Sequence, residues 1–132
     1  MVPQARPQSG ELRVLVLEDE VLIRLAIAEE LRAQGLVVIE AVNADEAWSY
    51  LKAGGHIDLV FTDVCMPGSM DGREFANRVR GTYPEIHIVM TSGQKMALTE
   101  EEVAHFLPKP YAFDQAARFV MNILNSKNQQ TF

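Results

Sequence analysis

Five residues able to bind a cation or a phosphate lie at the carboxyl ends of short apolar segments. They are Glu18, Asp19, Asp63, Thr91 and Lys109. Each has an ordinary explanation alone, since Asp often begins a turn and acidic residues favour the first turn of a helix. Strand ends meet at one edge of a parallel sheet, however, and function gathers there. Their joint occurrence therefore predicts one site.

The predicted site carries an excess of negative charge. Glu18, Asp19 and Asp63 would face a single lysine, Lys109. Two carboxylates about 4 Å apart repel by roughly 4 kcal/mol at an effective dielectric constant near 20. Such a group requires either raised pKa values or a cation, and ligands that are all oxygen favour Mg²⁺. No cluster of His and Cys at zinc spacing competes with it.

This residue set suits phosphoryl transfer, which needs mainly positioning and neutralisation of charge. Asp63 can act as a nucleophile that forms an aspartyl phosphate. Lys109 and Thr91 can donate to phosphate oxygens. The sequence contains no G-x-x-x-x-G-K-[ST] loop, so we do not expect nucleotide binding. It also lacks a recognisable Ser/His/Asp arrangement.

The composition predicts a single soluble globular domain. The chain has 132 residues, 48% of them hydrophobic, with a net charge of -6. The acidic balance argues against general binding to nucleic acid or to an anionic membrane. A single cysteine and the lack of a long apolar run favour the reducing cytoplasm. We expect a disordered tail over 1–11, a folded domain over 12–125 and a second tail over 126–132.

The elements that must position the site alternate along the chain. Apolar runs rich in Val, Ile and Leu predict strands buried on both faces, at 13–17, 37–40, 58–62, 86–91 and 105–108. Helical periodicity and capping signals predict helices that begin near residues 20, 44, 72, 100 and 113. The first helix is apolar over a wide arc, which predicts packing between the sheet and another helix. The fold class is thus α/β, a doubly wound parallel sheet with helices on both faces.

Four motifs together resemble the receiver domain of bacterial two-component response regulators. They are VLVLEDE, FTDVCMPGSMDG, VMTSG and FLPKPY, and the resemblance extends over residues 13–124. The resemblance is to receiver domains of the stand-alone, single-domain type. The resemblance implies a flavodoxin-like fold with five strands in the order 2-1-3-4-5.

The resemblance also implies roles for the acidic residues. Asp63 would be the phosphoacceptor and Asp19 a direct ligand of Mg²⁺. Glu18 would act on the metal directly or through water. The backbone carbonyl of Cys65 would be the third protein ligand.

The remaining implied roles concern the switch and its partners. Thr91 and Lys109 would contact the phosphoryl group, and Phe106 would be a switch aromatic residue. The phosphodonor would be a sensor histidine kinase or a histidine phosphotransfer protein. Because only a polar segment follows the last helix, output would be binding of a downstream protein or relay of the phosphate. The responding surface would be the fourth helix, fifth strand and fifth helix, in a monomer or a weak dimer.

Two departures and two alternatives accompany this interpretation. The loop at 68–70 is one residue longer than the commoner M-P-x-M-D-G pattern, and Pro108 before Lys109 predicts an edge strand. A haloacid-dehalogenase-like phosphatase would also use an aspartate and Mg²⁺. It usually needs an acid/base Asp two residues after the nucleophile, where this chain has Cys65. The second alternative is a binding module of the same fold that is never phosphorylated.

Overall fold

The structure, a computed structural model, describes residues 10–66, 68–94 and 97–129. Most of the predicted N-terminal tail lies outside these residues, as does Pro67, a residue type that favours turns. Strands and helices alternate along the described chain. The strands are β1 (Arg13–Leu17), β2 (Val37–Ala41), β3 (Leu59–Asp63), β4 (His87–Ser92) and β5 (Phe106–Pro108). The helices are α1 (Val21–Ala33), α2 (Ala44–Lys52), α3 (Gly72–Thr82), α4 (Glu100–Ala104) and α5 (Phe113–Gln129).

The strands form a five-stranded sheet in the order β2-β1-β3-β4-β5, and each neighbouring pair is parallel. This confirms the fold class and the strand order. Among the described residues, β5 lies at an edge of the sheet and pairs with β4 alone. Pro108 is therefore tolerated, because an edge strand has one side free of ladder hydrogen bonds.

Each face of the sheet has its own apolar core. One core joins the strands to α2 and α3, and its largest fully buried side chain is Phe75. The other joins the opposite face to α1 and α5 through residues such as Phe61 and Leu31. Because side chains alternate along a strand, successive residues of β1 and β3 enter different cores. The sheet is thereby buried on both faces, as the continuous apolar runs predict.

Local capping signals fix several helix starts. The Asn43 side chain accepts from the Glu46 amide at 2.8 Å, and the Asp71 side chain accepts from the Glu74 amide at 2.8 Å. Thr99 begins α4 with a complete capping box. These contacts satisfy amides that the first helical turn leaves without partners.

One expectation about the helices needs correction, and one is confirmed. α5 continues to Gln129, into the segment that the sequence predicts as a tail. α1 packs against the sheet and α5 through Ile27, Ala28 and Leu31, but part of its apolar arc is uncovered. Leu22 is 82% exposed, and Val21 and Leu25 are also exposed. Within the described residues, no helix combines the length and the apolar character needed to cross a membrane.

Candidate functional site

The strand ends bring four polar side chains to the same side of the sheet. Glu18, Asp63, Thr91 and Lys109 each lie two residues beyond an apolar side chain of the α1/α5 core. The preceding apolar residues are Val16, Phe61, Val89 and Leu107. Since strand side chains alternate with a period of two, all four polar groups point to that core side. The site therefore caps the core between the sheet, α1 and α5.

The predicted carboxylates do converge. Glu18, Asp19 and Asp63 each offer an oxygen atom within 4.8 Å of the others. Glu18 and Asp63 are only 4% and 8% exposed, while Asp19 is open to solvent. A partly enclosed cluster of oxygen atoms of this kind can bind a hard divalent cation.

Lys109 provides the positive charge of the site. Its Nζ donates to Asp63 Oδ2 at 2.6 Å and to Glu18 Oε1 at 3.1 Å. Burial tends to lower the pKa of Lys109, but the hydrogen bonds to Asp63 and Glu18 outweigh it and raise that pKa. Lys109 is therefore charged at neutral pH. It compensates only one of the three carboxylates.

Glu18 is the carboxylate most affected by its surroundings. Burial raises the pKa of Glu18 above its ordinary value, although hydrogen bonds from the Glu20 amide and from Lys109 act to lower it. The Glu20 amide donates to Glu18 Oε2 at 3.1 Å. Burial thus makes the charged form of Glu18 costly, which an additional cation would relieve.

Asp63 is fixed on its other side by the loop that follows β3. Its Oδ1 accepts from the Cys65 amide at 3.0 Å, so both carboxylate oxygens have a donor. The Cys65 side chain is exposed, with its Sγ 3.9 Å from Gln94 Oε1. The part of Cys65 that orders the aspartate is its backbone.

Thr91 supplies a donor that is not in use. It pairs with Asp63 in the β3–β4 register and is 1% exposed. Its hydroxyl has no hydrogen-bond partner among the described residues. Buried hydroxyl groups are normally paired, so this one is suited to an acceptor that enters the site.

Gly72 positions Asp63, although the sequence marks it only as the start of a helix. A Cβ at residue 72 would overlap the carbonyl oxygen of Asp63. The Gly72 amide donates to the Val64 carbonyl at 3.0 Å, which holds the start of α3 against the end of β3. The Asp-Gly pair at 71–72 was the available signal, since a glycine can mark close approach of two backbones.

The longer loop at 68–70 is tied to the rest of the domain. Gly68 has a φ of 109°, a conformation that favours glycine. Ser69 Oγ donates to Asp45 Oδ2 at 2.8 Å, which ties the loop to α2. Met70 is 5% exposed and belongs to the α2/α3 core. The loop is therefore held by the hydrogen bond of Ser69 and by burial of Met70.

Phe106 borders the site from β5. It is half-buried and packs against the α2/α3 core. Together with Gly93, Leu98 and Lys109 it lines a cavity of about 290 Å³. Phe106 therefore shares a cavity with Lys109 and with the segment that follows Thr91.

An ion pair that sequence reasoning missed connects α3 to α4. Arg73 Nε and Nη2 donate to the two Glu102 oxygens at 2.9 and 2.6 Å, and Nη2 also donates to the Ala97 carbonyl at 2.8 Å. Glu102 is 3% exposed, and the Arg73 hydrogen bonds lower its pKa to about 2. In the sequence, Glu102 follows Thr99 by three residues, a spacing typical of a capping box. The sequence does not predict its pair with Arg73, because tertiary packing brings the two residues together.

The fold and site define a doubly wound α/β domain with an acidic cluster at the carboxyl edge of its sheet. A family model described as response regulator receiver domain matches residues 14–120. The chain belongs to this family and is a receiver domain of two-component signalling. As such it is a signalling domain, which sets aside the phosphatase alternative.

Individual relatives agree with the family. The sensor kinase CckA of Brucella abortus is 33% identical over 133 residues, covering 96% of this chain and 14% of the kinase. A crystal structure of the receiver domain of the hybrid histidine kinase CckA is 35% identical with a TM-score of 0.69, covering 83% of this chain and 96% of that one. A crystal structure of response regulator TrrA of Thermotoga maritima, in complex with Mg²⁺ and beryllofluoride, is 29% identical with a TM-score of 0.73. It covers 84% of this chain and 97% of the TrrA chain.

Proposed function

We propose that Asp63 is the phosphoacceptor of this receiver domain. The observation that carries the proposal is the surroundings of its carboxylate. Lys109 and the Cys65 amide hold its two oxygens, and the unpartnered Thr91 hydroxyl faces the same side of the sheet. A phosphoryl group on Asp63 would add about one more negative charge and strong acceptor oxygens. Lys109 and Thr91 are the donors that would receive them.

The acidic cluster fits Mg²⁺. Glu18, Asp19 and Asp63 would hold the ion, and the Cys65 carbonyl is proposed as a further ligand. With Lys109 these carboxylates leave an excess of two negative charges, which a divalent cation matches, and all the ligands are oxygen atoms. When bound, Mg²⁺ neutralises charge that develops on the transferring phosphoryl oxygens. The magnesium complex of the TrrA relative supports this assignment.

The transfer step requires a phosphohistidine of another protein. A carboxylate oxygen of Asp63 forms the new O–P bond while the N–P bond of the phosphohistidine breaks, and its electron pair stays on the imidazole nitrogen. Lys109 would then turn from the carboxylate to a phosphoryl oxygen, and Thr91 would donate to another. We propose a sensor histidine kinase or a histidine phosphotransfer protein as the donor.

The donor must cover the edge of the sheet where Asp63 lies. The exposed apolar residues Val21, Leu22 and Leu25 begin α1, directly after the acidic cluster. Phe113, which begins the neighbouring α5, is 37% exposed. A protein whose phosphohistidine reaches Asp63 would bury this apolar surface, and that burial would stabilise the complex.

The proposed output surface is α4, β5 and α5. Phe106 begins β5 and shares its cavity with Lys109. Movement of Thr91 and Lys109 toward a phosphoryl group would change that cavity and reorient Phe106. The exposed Val103 on α4 offers apolar surface to a downstream protein or, in a weak dimer, to a second copy. We expect this signalling to occur in the cytoplasm.

Incubation with Mg²⁺ and acetyl phosphate, followed by intact mass measurement, tests the proposal. We expect one phosphoryl adduct that hydroxylamine removes and that Asp63→Asn lacks. Asp71→Asn is the matched control, because Asn caps a helix as well as Asp does and the residue lies in the same loop. It should keep the adduct. An adduct that persists in Asp63→Asn contradicts the assignment, and no adduct in the wild type favours the binding module that is never phosphorylated.

A further inference from the structure

Arg24 connects the start of α1 to the acidic cluster. Its Nη1 donates to the backbone carbonyl of Glu18 at 2.9 Å. The Arg24 amide closes the beginning of the helix by donating to the Glu20 carbonyl at 2.9 Å. The side chain therefore reaches back from α1 to the turn that carries Glu18 and Asp19.

A carboxylate on β2 orients the Arg24 side chain. Arg24 Nε donates to Glu40 Oε1 at 3.2 Å, and the Arg24 side chain is only 11% exposed. Glu40 lies two residues beyond Val38, a member of the α1/α5 core, so it points to that side of the sheet. Two nitrogen atoms of one planar guanidinium group thus join β2 to the turn that follows β1.

Glu40 is itself held by a second arginine. Arg32 Nη2 donates to Glu40 Oε2 at 3.2 Å and to the Val38 carbonyl at 3.1 Å. Neither of these contacts involves the acidic cluster, and the Arg32 side chain is 48% exposed. Arg32 therefore shares the charge of Arg24 and its partner Glu40, but lies one step further from the cluster.

The backbone that Arg24 holds carries two of the three carboxylates of the cluster. Glu18 and Asp19 directly follow β1, and the Glu18 amide donates to the Ala41 carbonyl at 3.3 Å. With Arg24 on the Glu18 carbonyl, both peptide groups that flank Glu18 have a partner. These two contacts set the direction in which the Glu18 side chain leaves the backbone and the point from which Asp19 continues.

We propose that Arg24 is a positioning residue of the magnesium site. It holds the turn at Glu18 and Asp19 in the geometry that binds the ion, and Glu40 keeps the guanidinium group in place. This role rests on the proposed binding of Mg²⁺ by the acidic cluster. Groups that orient metal ligands typically change metal affinity by about 10–100-fold when they are removed.

Positioning and simple charge make different predictions for Arg24. Arg24→Gln removes a positive charge beside the acidic cluster, which by charge alone would tighten Mg²⁺ binding, whereas loss of positioning weakens it. Arg24→Lys retains the charge but lacks the planar pair of donors, so charge alone predicts no change. Arg32→Gln is the matched control, because it removes the same charge and a contact to the same Glu40.

We expect Arg24→Gln and Arg24→Lys each to raise the Kd for Mg²⁺ about tenfold, measured by calorimetry. Arg32→Gln should change this Kd by less than about twofold, because an exposed charge is screened. In the metal-free protein, amide hydrogen exchange over residues 17–20 should be faster in both Arg24 variants and unchanged in Arg32→Gln.

An unchanged or lower Kd in Arg24→Lys would overturn the role of Arg24, as would equal effects of Arg24→Gln and Arg32→Gln. Loss of folding in Arg24→Lys would also overturn it, because Arg24 would then support the whole domain and not the site. A wild type that binds no Mg²⁺ would contradict the metal site itself, and the role of Arg24 with it.

Discussion

At the scale of single residues, the position of Asp63 depends on a neighbour with no side chain. Gly72 approaches the Asp63 carbonyl so closely that a Cβ there would overlap it. Thr62 Oγ1 also donates to that carbonyl at 2.9 Å. The position of Asp63, the proposed phosphoacceptor, is thus set by contacts to its backbone as well as to its carboxylate.

Gly72→Ala should therefore destabilise the domain by about 2 kcal/mol, because inserting a methyl group into a packed contact forces backbone shifts. It should also slow phosphorylation by acetyl phosphate, since Asp63 would move away from Lys109. Urea unfolding and the rate of adduct formation measure the two effects.

Gly81 provides the control within the same helix. A Cβ at that position meets no atom within 4 Å. Gly81→Ala should stabilise the domain by about 0.5–1 kcal/mol through lower backbone entropy in the unfolded state. Equal effects of the two substitutions would mean that the contact between Gly72 and Asp63 is unimportant.

At the scale of secondary-structure elements, α4 is attached to α3 by Arg73 and Glu102. α4 spans only Glu100–Ala104, too short to be stable alone. Glu102 contributes both the capping box and the ion pair with Arg73. The pair connects the helix that follows the Asp63 loop to a helix of the proposed output surface.

Glu102→Gln keeps the capping box but removes the charge. We expect it to reduce the free energy of unfolding by about 2 kcal/mol at pH 7, as for a charge-assisted hydrogen bond. Glu101→Gln is the control. Its pair with Arg80 spans 3.3 Å, but the Glu101 side chain is 70% exposed, so its effect should be well under about 1 kcal/mol.

The difference between wild type and Glu102→Gln should depend on pH. The pKa of Glu102 in the folded state, about 2, lies below its ordinary value of 4.5. The stabilisation is then fully present above pH 4.5 and is lost as pH falls toward 2. Urea unfolding between pH 2 and 7 checks this. A difference that stays constant across that range would exclude the ion pair as its source.

The elements show which features sequence reasoning can predict. The strands and helix starts followed from apolar runs and from caps such as Asn43 and Thr99, which act within four residues. The convergence of the strand ends followed from parallel topology. The ion pair between Arg73 and Glu102 could not be predicted. The two residues are distant in sequence, and tertiary packing brings them together.

At the scale of the whole molecule, the proposed magnesium site would link metal binding to stability. A ligand that binds only the folded state stabilises it, by about 2.7 kcal/mol at a concentration 100 times its Kd. Mg²⁺ should therefore raise the unfolding midpoint of the wild type.

Asp19→Asn should remove most of this magnesium effect, because it deletes a carboxylate of the cluster. Glu20→Gln, which changes an adjacent acidic residue outside that cluster, should retain it. Thermal unfolding with and without Mg²⁺ measures both. A magnesium effect that is equal in the two variants would place the ion elsewhere.

If Asp63 accepts the phosphoryl group, chemical location of that group should find it on residue 63. Borohydride reduces an aspartyl phosphate to homoserine, which peptide mass spectrometry can assign to one position. After treatment with acetyl phosphate and Mg²⁺, we expect homoserine at residue 63 alone and none without the phosphodonor. Homoserine at another carboxylate, with residue 63 unchanged, would contradict the assignment.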